Sequence, residues 1–117
     1  MRPTTPDTGT ERADIVELAA EHLQRAKADA HGRSAHLLLH DGPLRQTLIA
    51  LRTGTTLADH EAPLAGTLFV LRGSITLTTA DGDLPLDANQ FAPIPHERHG
   101  LTALSDAAVI LTAVTRT

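Results

Sequence analysis

A chain of 117 residues holds one domain with a buried core and has no room for two. Its net charge of −4 argues against a nucleic-acid surface, and 2% aromatic content, without Trp or Tyr, removes the platforms on which bases stack. Hydrophobic residues make up 41%, so the core comes from Leu, Ile, Val and Ala, packed by small differences of shape. The first ten residues, rich in Pro and Thr, read as a mobile tail. Thr8 followed by Glu11 fits a capping box, which predicts a helix from about Glu11 to Ala30. Ile15, Leu18, Ala19, His22, Leu23 and Ala26 form its apolar stripe. Gly32 is the stop.

After Gly32 the hydrophobic period changes from the helical value to that of a strand. Ser34–His40 and Leu44–Leu51 are apolar runs joined by the turn signal Asp41-Gly42-Pro43. Further strands are predicted at Leu57–Glu61, Thr67–Leu71, Ser74–Thr79, Asp83–Leu86, Gln90–Pro93, Gly100–Leu104 and Ala107–Thr115. Asp81-Gly82 predicts a tight type I′ hairpin. Pro85, Pro93 and Pro95 mark edges, strand ends or loops, because proline cannot donate to a ladder. Many short strands with one helix outside them make this an all-β sandwich or barrel. The chain thus divides into a tail (1–10), a helical segment (11–32) and a barrel (33–117).

The absence of cysteine removes disulfides, thiolate ligands and Cys nucleophiles, and fits a reducing compartment. MRPTTPDTGTERAD lacks the apolar segment of a secretory signal, and no apolar run nears the roughly 20 residues that span a bilayer. The expected location is the cytoplasm, with neither membrane nor nucleic acid as a partner. Lys27 is the only lysine against many arginines, a composition that points to a GC-rich bacterial genome. No nucleophile elbow, phosphate loop or dinucleotide fingerprint is present.

Two spaced patterns carry the functional reading. In the first, Gly54, His60 and Gly73 keep a frame of Gly, five residues, His-x-His, three or four residues, Glu, six residues, Gly. Ala62 stands at the second His and Gly66 at the Glu. In the second, Pro95 and His99 stand where a frame of Gly, five residues, Pro-x-Gly, two residues, His, three residues, Asn would place them, His99 one residue early. Asn89, Glu97 and Ala103 replace the two glycines and the Asn. From about Ser34 onward the chain resembles the small single-domain cupins. The resemblance implies a double-stranded β-helix, or jelly-roll, barrel preceded by one helix. It also implies a site of three imidazole nitrogens and one carboxylate oxygen around one divalent metal (Fe, Mn, Ni, Cu or Zn), of which this chain keeps His60 and His99.

Two imidazoles alone make a weak metal site. His60 and His99 therefore read three ways: as metal ligands with His96 swinging in as a third, as hydrogen-bonding groups of a metal-free pocket, or as histidines satisfied by backbone or solvent. Gln46 shares its strand face with Leu44, Leu48 and Ala50; if that face lines the barrel, the amide joins the pocket. His22 falls on the helix stripe as a packing residue, His31 lies in an exposed turn, and His36 and His40 share a strand face. The leading expectation is a module that binds a small organic ligand through His60, His99 and Gln46. One alternative is a metal-dependent enzyme of the cupin dioxygenase or isomerase type. The other is a non-catalytic scaffold, since the resemblance implies pairing of two copies into a homodimer.

Overall fold

The computed structural model describes residues 8–9, 12–60 and 62–115. Helix α1 (Ile15–Ala28) opens at Asp14, whose Oδ1 accepts the Glu17 N–H at 3.1 Å. That bond satisfies one of the first-turn donors that have no partner inside the helix. The expected start at a Thr8–Glu11 box is corrected: Thr8–Gly9 instead form strand β1, and Glu11 lies outside the described residues. At the other end, Arg52 Nη1 donates to the carbonyls of Lys27 (3.2 Å) and Asp29 (3.1 Å). Ala19, His22, Leu23 and Ala26 of the predicted stripe are buried. Asp14→Ala is expected to cost about 1 kcal/mol of stability, read as a shifted urea midpoint with an unchanged slope.

The strands fall close to their predicted positions. They are β2 (Arg33–Asp41), β3 (Leu44–Leu51), β4 (Thr56–His60), β5 (Ala65–Arg72) and β6 (Ser74–Thr79). Then come β7 (Gly82–Asp87), β8 (Phe91–Pro93), β9 (His99–Ala103) and β10 (Ala107–Val114). The β6–β7 hairpin is present but is not type I′. Its central residues are Ala80 and Asp81, and positive φ occurs only at Gly82 (124°), one residue later. Asn89 stands where the resembled pattern has a glycine and takes φ 70°. Asparagine is among the side chains that best tolerate this left-handed region, so the substitution keeps the backbone path.

All pairings are antiparallel, in a six-stranded sheet ordered β1-β2-β3-β10-β5-β8 and a four-stranded sheet ordered β4-β9-β6-β7. Their inner faces enclose Leu51, Leu68, Val70, Ile75, Leu77, Leu101 and Val109. Helix α1 covers part of the outer face of the larger sheet, with Ala19, Leu23 and Ala26 over Leu48, Ala50 and Ala108. Strand β3 is therefore apolar on both faces over its second half, which explains the unbroken run Leu48-Ile49-Ala50-Leu51. A bulge between Leu37 and Leu39 pairs His36 with Leu48 but His40 with Arg45. The expectation that His36 and His40 share a face is thus corrected: the extra residue puts them on opposite faces.

Candidate functional site

The two motif histidines meet in the register of the four-stranded sheet. Strand β4 pairs with β9 so that Leu57 opposes Leu101 and His60 opposes His99. Three residue steps along β4 match two along β9, so β4 carries a one-residue bulge over Ala58–Asp59. Without that bulge Asp59 would take the position opposite His99. The backbone of His60 is described and its side chain lies outside the described residues.

His99 is 4% exposed, and its Nδ1 donates to the Glu97 carbonyl at 2.9 Å. The bond fixes the tautomer: a carbonyl only accepts, so a neutral ring carries its proton on Nδ1 and offers Nε2 as an acceptor. Glu97, which stands at a glycine of the resembled pattern, thus serves through its backbone. The ring borders a cavity of about 40 Å³, walled by Ile49, Leu57, Leu68, Leu77, Ile94, Leu101, Val109 and Leu111. His99 is the polar side chain in that apolar lining. The space suits about one water, whose share of the liquid is about 30 Å³. Small-molecule sites occupy roughly 300–1,000 Å³.

The missing carboxylate has lost its room as well. Gly66 is paired with Ala113, two residues before the core residue Leu68 on the same strand face. A Cβ added there would lie 2.9 Å from the Thr112 carbonyl oxygen and 3.2 Å from both Ile94 Cδ1 and Pro63 Cγ. Ala62, at the second imidazole position, is half-buried. The resembled four-ligand metal site therefore does not fit this chain: two donors are gone, and a backbone carbonyl and two apolar side chains crowd the carboxylate's place. Among the described residues no group of three His, Asp or Glu is arranged to hold a metal ion.

His96 is exposed and does not line the His99 cavity. It borders a groove of about 440 Å³ between β7 and β8, the edge strands of the two sheets. Leu77, Thr79, Leu84, Pro93, Ile94 and Pro95 complete the groove. Leu77 and Ile94 line both spaces, so they form the wall between the groove and the cavity behind it. Leu84 is 46% exposed there although it pairs with Leu77 on the inward side of its sheet. No motif in the sequence marks this groove. Its signal is the set of three prolines: Pro85 lies in β7, Pro93 ends β8 and Pro95 follows it, and none of them can donate to a further ladder.

Gln46 is placed elsewhere. It shares the outer sheet face of Leu48 and Ala50, and its amide donates to Thr112 Oγ1 at 3.2 Å. The expectation that this face lines the barrel is corrected, because helix α1, not the barrel interior, covers it.

No family model matches the chain, and no curated protein matches it in sequence. Solved structures do match. A conserved protein of unknown function from Streptococcus pyogenes superposes with a TM-score of 0.77 at 18% identity, covering 99% of both chains. A cupin superfamily protein from Desulfitobacterium hafniense gives 0.67 at 13% identity, over 71% of this chain and 77% of that one. A salicylate 1,2-dioxygenase from Pseudaminobacter salicylatoxidans gives 0.72 at 16% identity, over 84% of this chain and 33% of that one. The chain has the cupin fold, a jelly-roll barrel preceded by one helix. No helix among the described residues is long and apolar enough to cross a membrane.

Proposed function

We propose that this cupin-fold chain binds a small organic molecule in the groove between β7 and β8, without a bound metal. The observation that carries the reading is the contrast of volumes. The groove, at about 440 Å³, has the size of a small-molecule site, while the barrel interior, at about 40 Å³, does not. The groove is largely apolar, with Thr79 and His96 as polar groups at its border. That chemistry suits a molecule with a short aliphatic or alicyclic body and one hydrogen-bonding or anionic end turned to His96. His99 lies behind Leu77 and Ile94, so the two-histidine pocket read from the sequence would be reached only if those side chains turned aside.

The reading is tested with hexanoate and hexanol as probes, by amide chemical-shift mapping. Shifts are expected at Leu77, Thr79, Leu84, Ile94 and His96. Leu84→Arg should weaken binding at least about tenfold. Because Leu84 is half exposed, that change should leave stability within about 1 kcal/mol. Shifts scattered over the surface, or unchanged in Leu84→Arg, would remove the groove from consideration.

One observation favours a second reading: His60 stands directly opposite His99 in register. A two-imidazole site with a further donor, as a metal-dependent enzyme requires, would begin from this backbone pairing. Metal uptake separates the two readings.

A further inference from the structure

Helix α1 packs on the six-stranded sheet through apolar side chains around one buried polar cluster, and its C-terminal end is held by Arg52 on the Lys27 and Asp29 carbonyls and by the Lys27–Asp106 ion pair at 3.4 Å. His22 is 4% exposed, and its Nδ1 lies 2.7 Å from Ser34 Oγ. Its ring centroid is 5.3 Å from that of His36, with the planes tilted by 58°. Ala19, Leu23 and Ala26 flank it from the helix, and Leu48, Ala50 and Ala108 from the sheet. We propose that His22, packed against the His36 ring, is a proton-operated latch: the neutral His22 imidazole holds the helix on the sheet, and its protonation releases the helix while the barrel stays folded.

The charges around the pair are of both signs. On the helix, Arg25 and Glu21 are the charged neighbours of His22, and they are paired with each other at 2.7 Å. From β2 comes His36, which borders a hollow of about 220 Å³ with Arg12, Asp14, Glu17 and Glu21, so one guanidinium and three carboxylates lie on its side of the cluster. Strands β3 and β10 present Leu48, Ala50 and Ala108 to the helix, with no charge among them. Burial, first, holds the His22 imidazole below its ordinary titration range; Arg25 and then His36 act in the same direction, and Glu21 opposes them. A released His22 takes up its proton near 6.5, whereas the docked ring resists it. Docking is therefore fully supported above that value and loses support as pH falls below it, down to the docked ring's lower titration point.

Amide hydrogen exchange at about pH 7.5 and about pH 5, corrected for intrinsic rates, reads the latch across the histidine range. Amides from Leu18 to Ala26 are expected to lose about tenfold or more of their protection at the lower pH. Val70, Ile75 and Val109 should keep theirs. His22→Gln should abolish the helix-specific loss, and His36→Gln should reduce it. Unchanged helix protection would overturn the proposal. So would helix and barrel losing protection together, since that is acid unfolding of the whole domain. Ring titration of the unaltered protein needs no variant: a His22 that titrates at its ordinary value contradicts the latch.

Discussion

Gly66→Glu, which restores a carboxylate to the position where the resembled metal site has one, is expected to cost about 3 kcal/mol or more and to recruit no metal. The Cβ alone would crowd the Thr112 carbonyl at 2.9 Å and Ile94 Cδ1 at 3.2 Å. Forcing extra atoms into a packed interior costs about 1–3 kcal/mol. A carboxylate turned toward Ile94 and Pro63 adds a desolvation cost that no partner offsets. The melting temperature should fall by about 10 °C or more. Adding Ile94→Ala should return part of the loss beyond additivity, because the two side chains compete for one space. If Gly66→Glu stays within about 0.5 kcal/mol of the parent, the carboxylate position is not filled and the site is not closed as described.

Gly73→Ala is expected to prevent folding or to remove about 4 kcal/mol, a large share of the roughly 5–15 kcal/mol that a domain holds. Gly73 links β5 in one sheet to β6 in the other at φ 78°. An added Cβ would overlap the Asp106 carbonyl oxygen and approach Ala107 Cα at 2.8 Å. Both obstacles are backbone, so no rotamer change relieves them. Gly54→Ala provides the control: φ is 84°, yet nothing lies within 4 Å of its Cβ. It should cost only the left-handed strain, about 1–2 kcal/mol. Equal losses for the two variants would mean that strain, not the close approach at the sheet junction, makes Gly73 necessary.

The strand plan is legible in the sequence because period-two runs and their turn residues mark strands locally. The helix stripe is legible for the same reason. What the sequence does not disclose is which face of a strand points where. Strand β3 is apolar on both faces over its second half, so alternation cannot tell the barrel side from the helix side, and the pocket position expected for Gln46 fails on that ambiguity. Bulges at Leu38 and over Ala58–Asp59 each add one residue and reverse the parity beyond them. One separates His36 from His40, and the other brings His60, not Asp59, opposite His99. The helix start is ambiguous because two capping residues, Thr8 and Asp14, both precede the stripe, and only tertiary pairing of Thr8 with His40 assigns it to a strand. The groove is hidden for a different reason: its lining comes from β6, β7 and the Pro93–His96 segment, which only the packing of the two sheets brings together.

Beneath these expectations lies one proposal: close packing stands where the resembled pattern places a metal ligand, and a small molecule binds in the groove instead. The metal content of tag-free protein, after exposure to Fe(II), Mn(II), Ni(II), Cu(II) and Zn(II) and removal of excess ions, tests it. Retention far below about one equivalent is expected, the same in the parent and in His99→Gln, because two imidazoles fall short of the three or four ligands that such ions commonly take. About one equivalent retained by the parent and lost in His99→Gln would contradict that proposal.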